Sequence, residues 1–312
     1  MKNCSIRSLL LIPIVGIMSV VAVTPAVAKP KSKEYTIDII AEGLSSPTGI
    51  ASYRPGVLVY SEIPMPGVGG EESTNAVRFL NTRSGATSLI SMGEPEPVNI
   101  AVSRRGDIYW TCKTAGVILE YNRRKGVEFF LPADPSVGPF LESPSGITVS
   151  PRGEVLFTEV PTPGELGDDG GMNMVSVTDG EAITLISDFE PEPTDIVIAS
   201  NGSAYWTCKS AGVILQRSPA GVITLLLENL DAPTGIALDR SGRNLFFTEV
   251  PNPGVPNGGN KVSRYDLRKK ELSLISGFYP QPTDVTVSRN GDVYWTCTFA
   301  GVIARASSQG RW

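Results

Sequence analysis

Histidine is absent from the 312 residues. Its absence removes the usual general base, the Ser-His and Cys-His nucleophile systems, and any zinc site built on imidazole. Cysteine is scarce, with four in the chain, of which Cys112, Cys208 and Cys297 follow the first 28 residues. Positive charge is also short: 27 Lys and Arg stand against 32 Asp and Glu, a net charge of −5. That balance argues against nucleic acid or an anionic membrane surface as partner. No helical period, nucleotide motif or haem motif is present. After the opening apolar run, no second stretch is long enough to span a bilayer as a helix.

The opening run reads as a signal peptide over residues 1–28. Lys2 and Arg7 precede an apolar stretch from Leu9 to Val23, and Ala26-Val27-Ala28 supplies the small residues of a cleavage site. The mature chain is then expected to begin at Lys29 and to be secreted or periplasmic. Three cysteines in an exported chain cannot all pair internally, so the framework is not a disulfide scaffold.

Residues 29–312 are repetitive. Unit A recurs from Pro47, Pro144 and Pro233, as in PTGIALDRSGRNLFFTEVPNPG. Unit B recurs from Pro97, Pro193 and Pro282, as in PTDIVIASNGSAYWTCKSAGVILQRS. Cys112, Cys208 and Cys297 are 96 and 89 residues apart, while Glu62, Glu159 and Glu249 are 97 and 90 apart. Each unit is a series of short β-branched and aromatic stretches broken by turns such as RRGD and SNGS. The pattern predicts an all-β, six-bladed β-propeller of four-stranded blades, made of three tandem two-blade repeats. The blade pairs span about 43–131, 140–228 and 229–312. The last unit lacks a fourth strand, whereas Tyr35–Ala41 has no sheet of its own, so this N-terminal strand is expected to complete the last blade.

The P-x-G-I-A-x-D pattern followed by G-x-(L/V)-(F/Y)-(F/W)-T-(E/C) resembles NHL-repeat propellers. LFFTE followed by GGNKVSRYD is similar to the blades of streptogramin-lyase-type and gluconolactonase-type proteins. The resemblance covers nearly all of residues 29–312 and implies the fold. Propellers of this kind include lyases, lactonases, strictosidine-synthase-like enzymes and binding modules. Gluconolactonase-type enzymes use Glu, Asn and Asp at channel positions, and Gly49 stands where that type carries a channel Glu. Streptogramin-type lyases use a His base with a metal, which this chain cannot supply.

In a propeller the start of each first strand and the end of each second strand meet at one mouth of the channel. The first station holds Gly49, Gly146 and Gly235 in A blades but Asn99, Asp195 and Asp284 in B blades. Converging oxygen ligands at Asn99, Asp195 and Asp284 suit Ca²⁺ or another divalent cation. The alternative is that these side chains cap nearby backbone N–H groups.

The second station holds Glu62, Glu159 and Glu249 in A blades and Cys112, Cys208 and Cys297 in B blades. The three Glu end apolar rows, where a carboxylate needs a partner or its pKa rises. They read either as ligand-binding or catalytic acids, or as acids held by backbone hydrogen bonds or by solvent at the rim. The three Cys read either as small buried hydrophobes beside Trp110, Trp206 and Trp295, or as soft ligands. Lys113 and Lys209 follow two of them and Thr298 the third.

Loops at 64–74, 161–173 and 251–260, with Glu165, Asp168 and Asp169 in the second, add recognition surface to the same face. Glu94, Glu96, Glu190 and Glu192 make the mouth acidic. The preferred expectation is an exported propeller that binds a small, cationic or polar ligand, or a divalent cation, at this mouth, with a protein partner on the loop face. Its rival is a metal-dependent lactonase-like hydrolase or lyase, with one of the three Glu as base.

Overall fold

The computed structural model describes residues 35–64, 74–132, 141–160, 174–250, 259–277 and 281–308. The leader and most of the three long loops, Glu165, Asp168 and Asp169 included, lie outside these residues. Among the described residues there is no helix long and apolar enough to cross a membrane.

Among the described residues, glycine turns between strands rich in Val, Ile, Tyr, Phe and Trp give 24 strands, gathered into six antiparallel sheets of four. Blade 1 comprises Pro47–Arg54, Val57–Glu62, Ala76–Asn81 and Thr87–Met92. Blade 2 comprises Pro97–Val102, Ile108–Cys112, Val117–Asn122 and Gly126–Leu131. Blade 3 has Pro144–Val149, Val155–Glu159, Met174–Thr178 and Ile183–Asp188. Blade 4 has Pro193–Ile198, Ala204–Cys208, Val213–Arg217 and Ile223–Leu227. Blade 5 has Pro233–Leu238, Asn244–Glu249, Lys261–Asp266 and Glu271–Ser276. Blade 6 has Pro282–Val287, Val293–Cys297 and Val302–Ser308, and takes Tyr35–Ala41 as its fourth strand.

That exchange closes the ring as the sequence predicts. Tyr35 pairs with Ser308 and Ile39 with Ala304, Arg305 binds Asp38 at 2.6 Å, and the Leu44 N–H donates to the Gly301 carbonyl at 2.9 Å. The hairpin RRGD works as expected, with Gly106 at φ 89°.

The core is divided into six apolar clusters, one at each interface between neighbouring blades. Trp110, Trp206 and Trp295 fill the interfaces inside the A–B pairs. Tyr60, Phe157 and Phe247 fill those between pairs. Alternation along each second strand sends successive side chains to opposite faces, so one strand feeds two clusters.

Candidate functional site

The six first strands surround an axial cavity of about 200 Å³. Aliphatic residues, Ala51, Ala101, Val149 and Ala237 among them, outnumber the polar ones in its lining, yet the surface it presents is more polar than apolar, and its polar groups include Asn99, Asp195 and Asp284. These three buried side chains come from blades 2, 4 and 6, and they meet. The Asn99 amide and the Asp284 carboxyl both act on the Asp195 carboxyl, Asn99 favouring its charged form and Asp284 opposing it.

Each acid is also held by backbone. Asp195 Oδ1 accepts from its neighbour Ile196 N–H at 2.7 Å, and Oδ2 accepts from Ile236 N–H of blade 5 at 2.7 Å. Asp284 repeats the pattern with Val285 and, across the ring closure, with Ile50 of blade 1, both at 2.7 Å. Asn99 Oδ1 accepts from Ile100 N–H at 2.6 Å. Burial, and then the charge of Asp284, pushes the Asp195 carboxyl far above the usual carboxylate range. Burial raises Asp284 to about 7. Two acids this close and this dry retain a proton between them near neutrality.

The glycines of the A blades make this convergence fit. A Cβ on Gly49 would lie 2.8 Å from the Asn99 Cα, and one on Gly235 would lie 2.6 Å from the Asp284 Cα. On Gly146 it would strike the Asp195 Cα. Each glycine thus accepts the backbone of the next blade's Asn or Asp. The two acids in turn reach the blade beyond.

A belt of buried hydroxyls lies immediately outside. Ser61, Thr111, Thr158, Thr207, Thr248 and Thr296 accept from the N–H of the six first-station residues, at 2.8–3.3 Å. Thr111, Thr207, Thr248 and Thr296 also donate to a carbonyl of the following blade.

The second station is more dispersed. Oε1 of Glu62, Glu159 and Glu249 accepts from the N–H of Ser45, Glu142 and Asp231 at 3.0, 2.7 and 2.9 Å, which ties each blade's entry segment to its second strand. The remaining oxygens differ. Glu62 Oε2 accepts from Arg78 Nε at 2.7 Å. Glu249 Oε2 accepts from Ser263 Oγ at 3.3 Å, with Lys261 3.9 Å from Oε1. Glu159 has Met174 and Ser176 where those blades place Ala76 with Arg78 and Lys261 with Ser263. Burial raises Glu159 to about 7, and Glu249 is also raised, by burial first.

Cys112, Cys208 and Cys297 lie in three different interface clusters, so the structure does not bring the thiols together. Each is fully buried and follows a fully buried Trp by two residues. Burial pushes Cys112 and Cys297 up to about 12, and Cys208 higher still, so all three are neutral thiols. Glu190 accepts from Cys208 Sγ at 3.6 Å. Lys209 binds Glu192 at 3.2 Å.

One recurrent element escapes sequence reading. Ser46, Glu96, Ser143, Glu192, Ala232 and Gln281, each just before a blade's first proline, have φ between 48° and 56°. All six carbonyls accept from the residue that follows the second-station Glu or Cys, at 2.9–3.3 Å. A non-glycine residue before proline gives no signal for this left-handed turn. Among the described residues no three Cys, Asp or Glu side chains gather closely enough to hold a metal ion. A cation at the axis would therefore rest on two acids and the neighbouring amide.

No protein-family profile matches the chain, and no curated protein matches its sequence. Solved structures do match. A gluconolactonase structure from Xanthomonas campestris superposes with a TM-score of 0.69 at 15% identity, covering 91% of this chain and 93% of that one. A streptogramin B lyase structure gives 0.58 at 17% identity, covering 88% and 97%. A chain of a nidogen–laminin complex gives 0.58 at 18% identity, covering 77% and 84%. The chain is a six-bladed β-propeller, and these structures are similar to it in fold.

Proposed function

We propose that the protein is an exported binding module whose axial group, Asn99, Asp195 and Asp284, takes a divalent cation or a small cationic or polar ligand in place of the proton held by the two acids. The observation that carries this reading is the meeting of two buried carboxyls and an amide from alternate blades. Each Asp oxygen accepts one backbone N–H and keeps a second lone pair. The donor set is hard oxygen, which suits Ca²⁺. Two carboxylates fall short of the roughly six to eight oxygens that Ca²⁺ takes, leaving positions for water or ligand oxygens. The likeness to a chain in a nidogen–laminin complex is consistent with a protein partner as well.

A thermal-shift series with Ca²⁺, Mg²⁺ and Mn²⁺ tests the proposal. At pH 8 one of these ions should raise Tm, and at pH 5.5, where protons compete, it should not. A saturating ion at 100 times its Kd stabilises by about 2.7 kcal/mol. The shift should vanish in Asp195→Asn/Asp284→Asn. No shift with any ion or with small cations would sink the reading.

A second reading, a lactonase-like hydrolase or lyase, rests on Glu159. It is a buried acid without the arginine that Glu62 has, and its pKa of about 7 lies in the range a general base needs. The fold likeness to gluconolactonase and lyase structures is compatible with it. Lactone hydrolysis above the buffer rate, lost in Glu159→Gln, would support this reading over the first.

A further inference from the structure

The three A–B interfaces are built alike, yet they differ at the hairpin-turn end, the end opposite the two stations. In blades 1 and 2 that space is filled by aromatic rings. Tyr53 and Phe79 have centroids 5.0 Å apart, and Phe79 and Tyr121 6.3 Å apart. The strand registers place Val177 and Arg217 at the positions of Phe79 and Tyr121 in the second pair, and Arg264 and Ala306 in the third. Counting from the blade's first proline, Ser150 and Asp239 replace Tyr53. Loss of the rings opens a cavity of about 370 Å³ in the second pair and about 750 Å³ in the third. The latter is within the usual size of a small-molecule site, roughly 300–1,000 Å³.

The third cavity is cationic. Arg240, Arg243, Arg264, Lys269 and Arg289 line it against Asp239 and Asp266, an excess of three positive charges in a chain whose net charge is −5. The two acids hold the local backbone, and Asp266 Oδ2 also lies 3.4 Å from Arg243 and 3.9 Å from Arg264. Asp239 Oδ1 accepts from Arg243 N–H at 2.9 Å, and Asp266 Oδ1 accepts from Arg268 and Lys269 N–H at 3.0 and 2.9 Å.

A relay found only in this A blade fixes the cavity's deepest cation. Asn244, which stands where the other A blades have Val57 and Glu154, donates from Nδ2 to Asp239 Oδ2 at 2.6 Å. Its Oδ1 accepts from Arg264 Nε and Nη2 at 2.9 and 2.7 Å. The Arg264 side chain is only 12% exposed, so its guanidinium is set in place rather than swinging in solvent. Phe246 and Val287 supply apolar wall. A preorganised guanidinium, a rim of exposed cations and an apolar wall together suit a ligand with a charged head and an apolar body.

We propose that this cavity between blades 5 and 6 binds a small organic anion, a carboxylate or phosphate joined to an apolar body. The site is separate from the axial group.

Calorimetric titration of the full protein with phenyl phosphate, benzoate, inorganic phosphate and benzyl alcohol at low salt tests it. One of the two aryl anions should bind at least about tenfold more tightly than inorganic phosphate or benzyl alcohol, a difference of about 1.4 kcal/mol. Whichever aryl anion binds better identifies the preferred head group. Arg240→Glu/Arg289→Glu, at exposed positions, should weaken it by at least tenfold. Asp239→Tyr/Arg264→Phe, which restores the aromatic filling of the first pair, should abolish it. If that second variant does not fold, the exposed-arginine variant decides. Asp195→Asn/Asp284→Asn should leave the aryl anion bound as before. Absence of aryl-anion binding, equal binding of inorganic phosphate, or an unchanged affinity in Arg240→Glu/Arg289→Glu would overturn the proposal.

Discussion

A single missing methyl group sets the alternation of residues around the axis. Gly146 leaves room for the Asp195 backbone, so Gly146→Ala should cost about 1–3 kcal/mol in urea denaturation, the usual price of overpacking a tight site. The alternation of Gly with Asn or Asp is visible in the sequence. The steric interlock behind it is not, because the partners lie about 50 residues apart, as Gly146 and Asp195 do.

The buried acids give a second test at this scale. Glu159 and Asp284 have folded-state values of about 7, above their ordinary 4.5 and 3.8. Their contribution is therefore complete below those ordinary values and is lost as pH rises towards 7. Without added cations, Tm should be higher at pH 5.5 than at pH 8, and Glu159→Gln should flatten part of that slope. The thiols behave oppositely to reactive cysteines. Cys112, Cys208 and Cys297 should resist a disulfide reagent in the native protein and react in full after unfolding.

Strands were legible because alternation and turn chemistry are local properties. YWTC and LFFTE read directly as second strands, and RRGD as a hairpin. The hydroxyl belt was not legible: Thr207 in YWTC looks like an ordinary strand residue until its partners are seen. Thr207 accepts from Asp195 N–H at 3.1 Å and donates to the Thr234 carbonyl of the next blade at 2.8 Å. Thr207→Val leaves both buried groups without this partner and should destabilise by about 2 kcal/mol or more, whereas Thr207→Ser should recover most of the loss. Equal effects of the two substitutions would show that the methyl group, not the hydroxyl, matters there. The role of the three Glu required structure for the same reason: each acid binds an N–H 17 or 18 residues before it in the chain.

At the scale of the molecule, ring closure followed from two ends that each lacked what the other had. The unmatched Tyr35–Ala41 supplied the missing fourth strand. A chain starting at Glu42 should lose cooperative unfolding and associate through the bared edge of Val302–Ser308, as read by circular dichroism and size-exclusion chromatography. The pseudo-threefold plan was equally plain in the sequence, but the basic cavity emerges only where the third pair departs from the first. The axial site rests on the same symmetry, since Asn99, Asp195 and Asp284 can meet only if alternate blades face one axis. The measurement that bears on it most directly is proton release on adding Ca²⁺ at pH 7, by calorimetry in two buffers of different ionisation enthalpy. Binding with release of a proton, absent in Asp195→Asn/Asp284→Asn, is the predicted result; binding without proton release, or no binding, would contradict it.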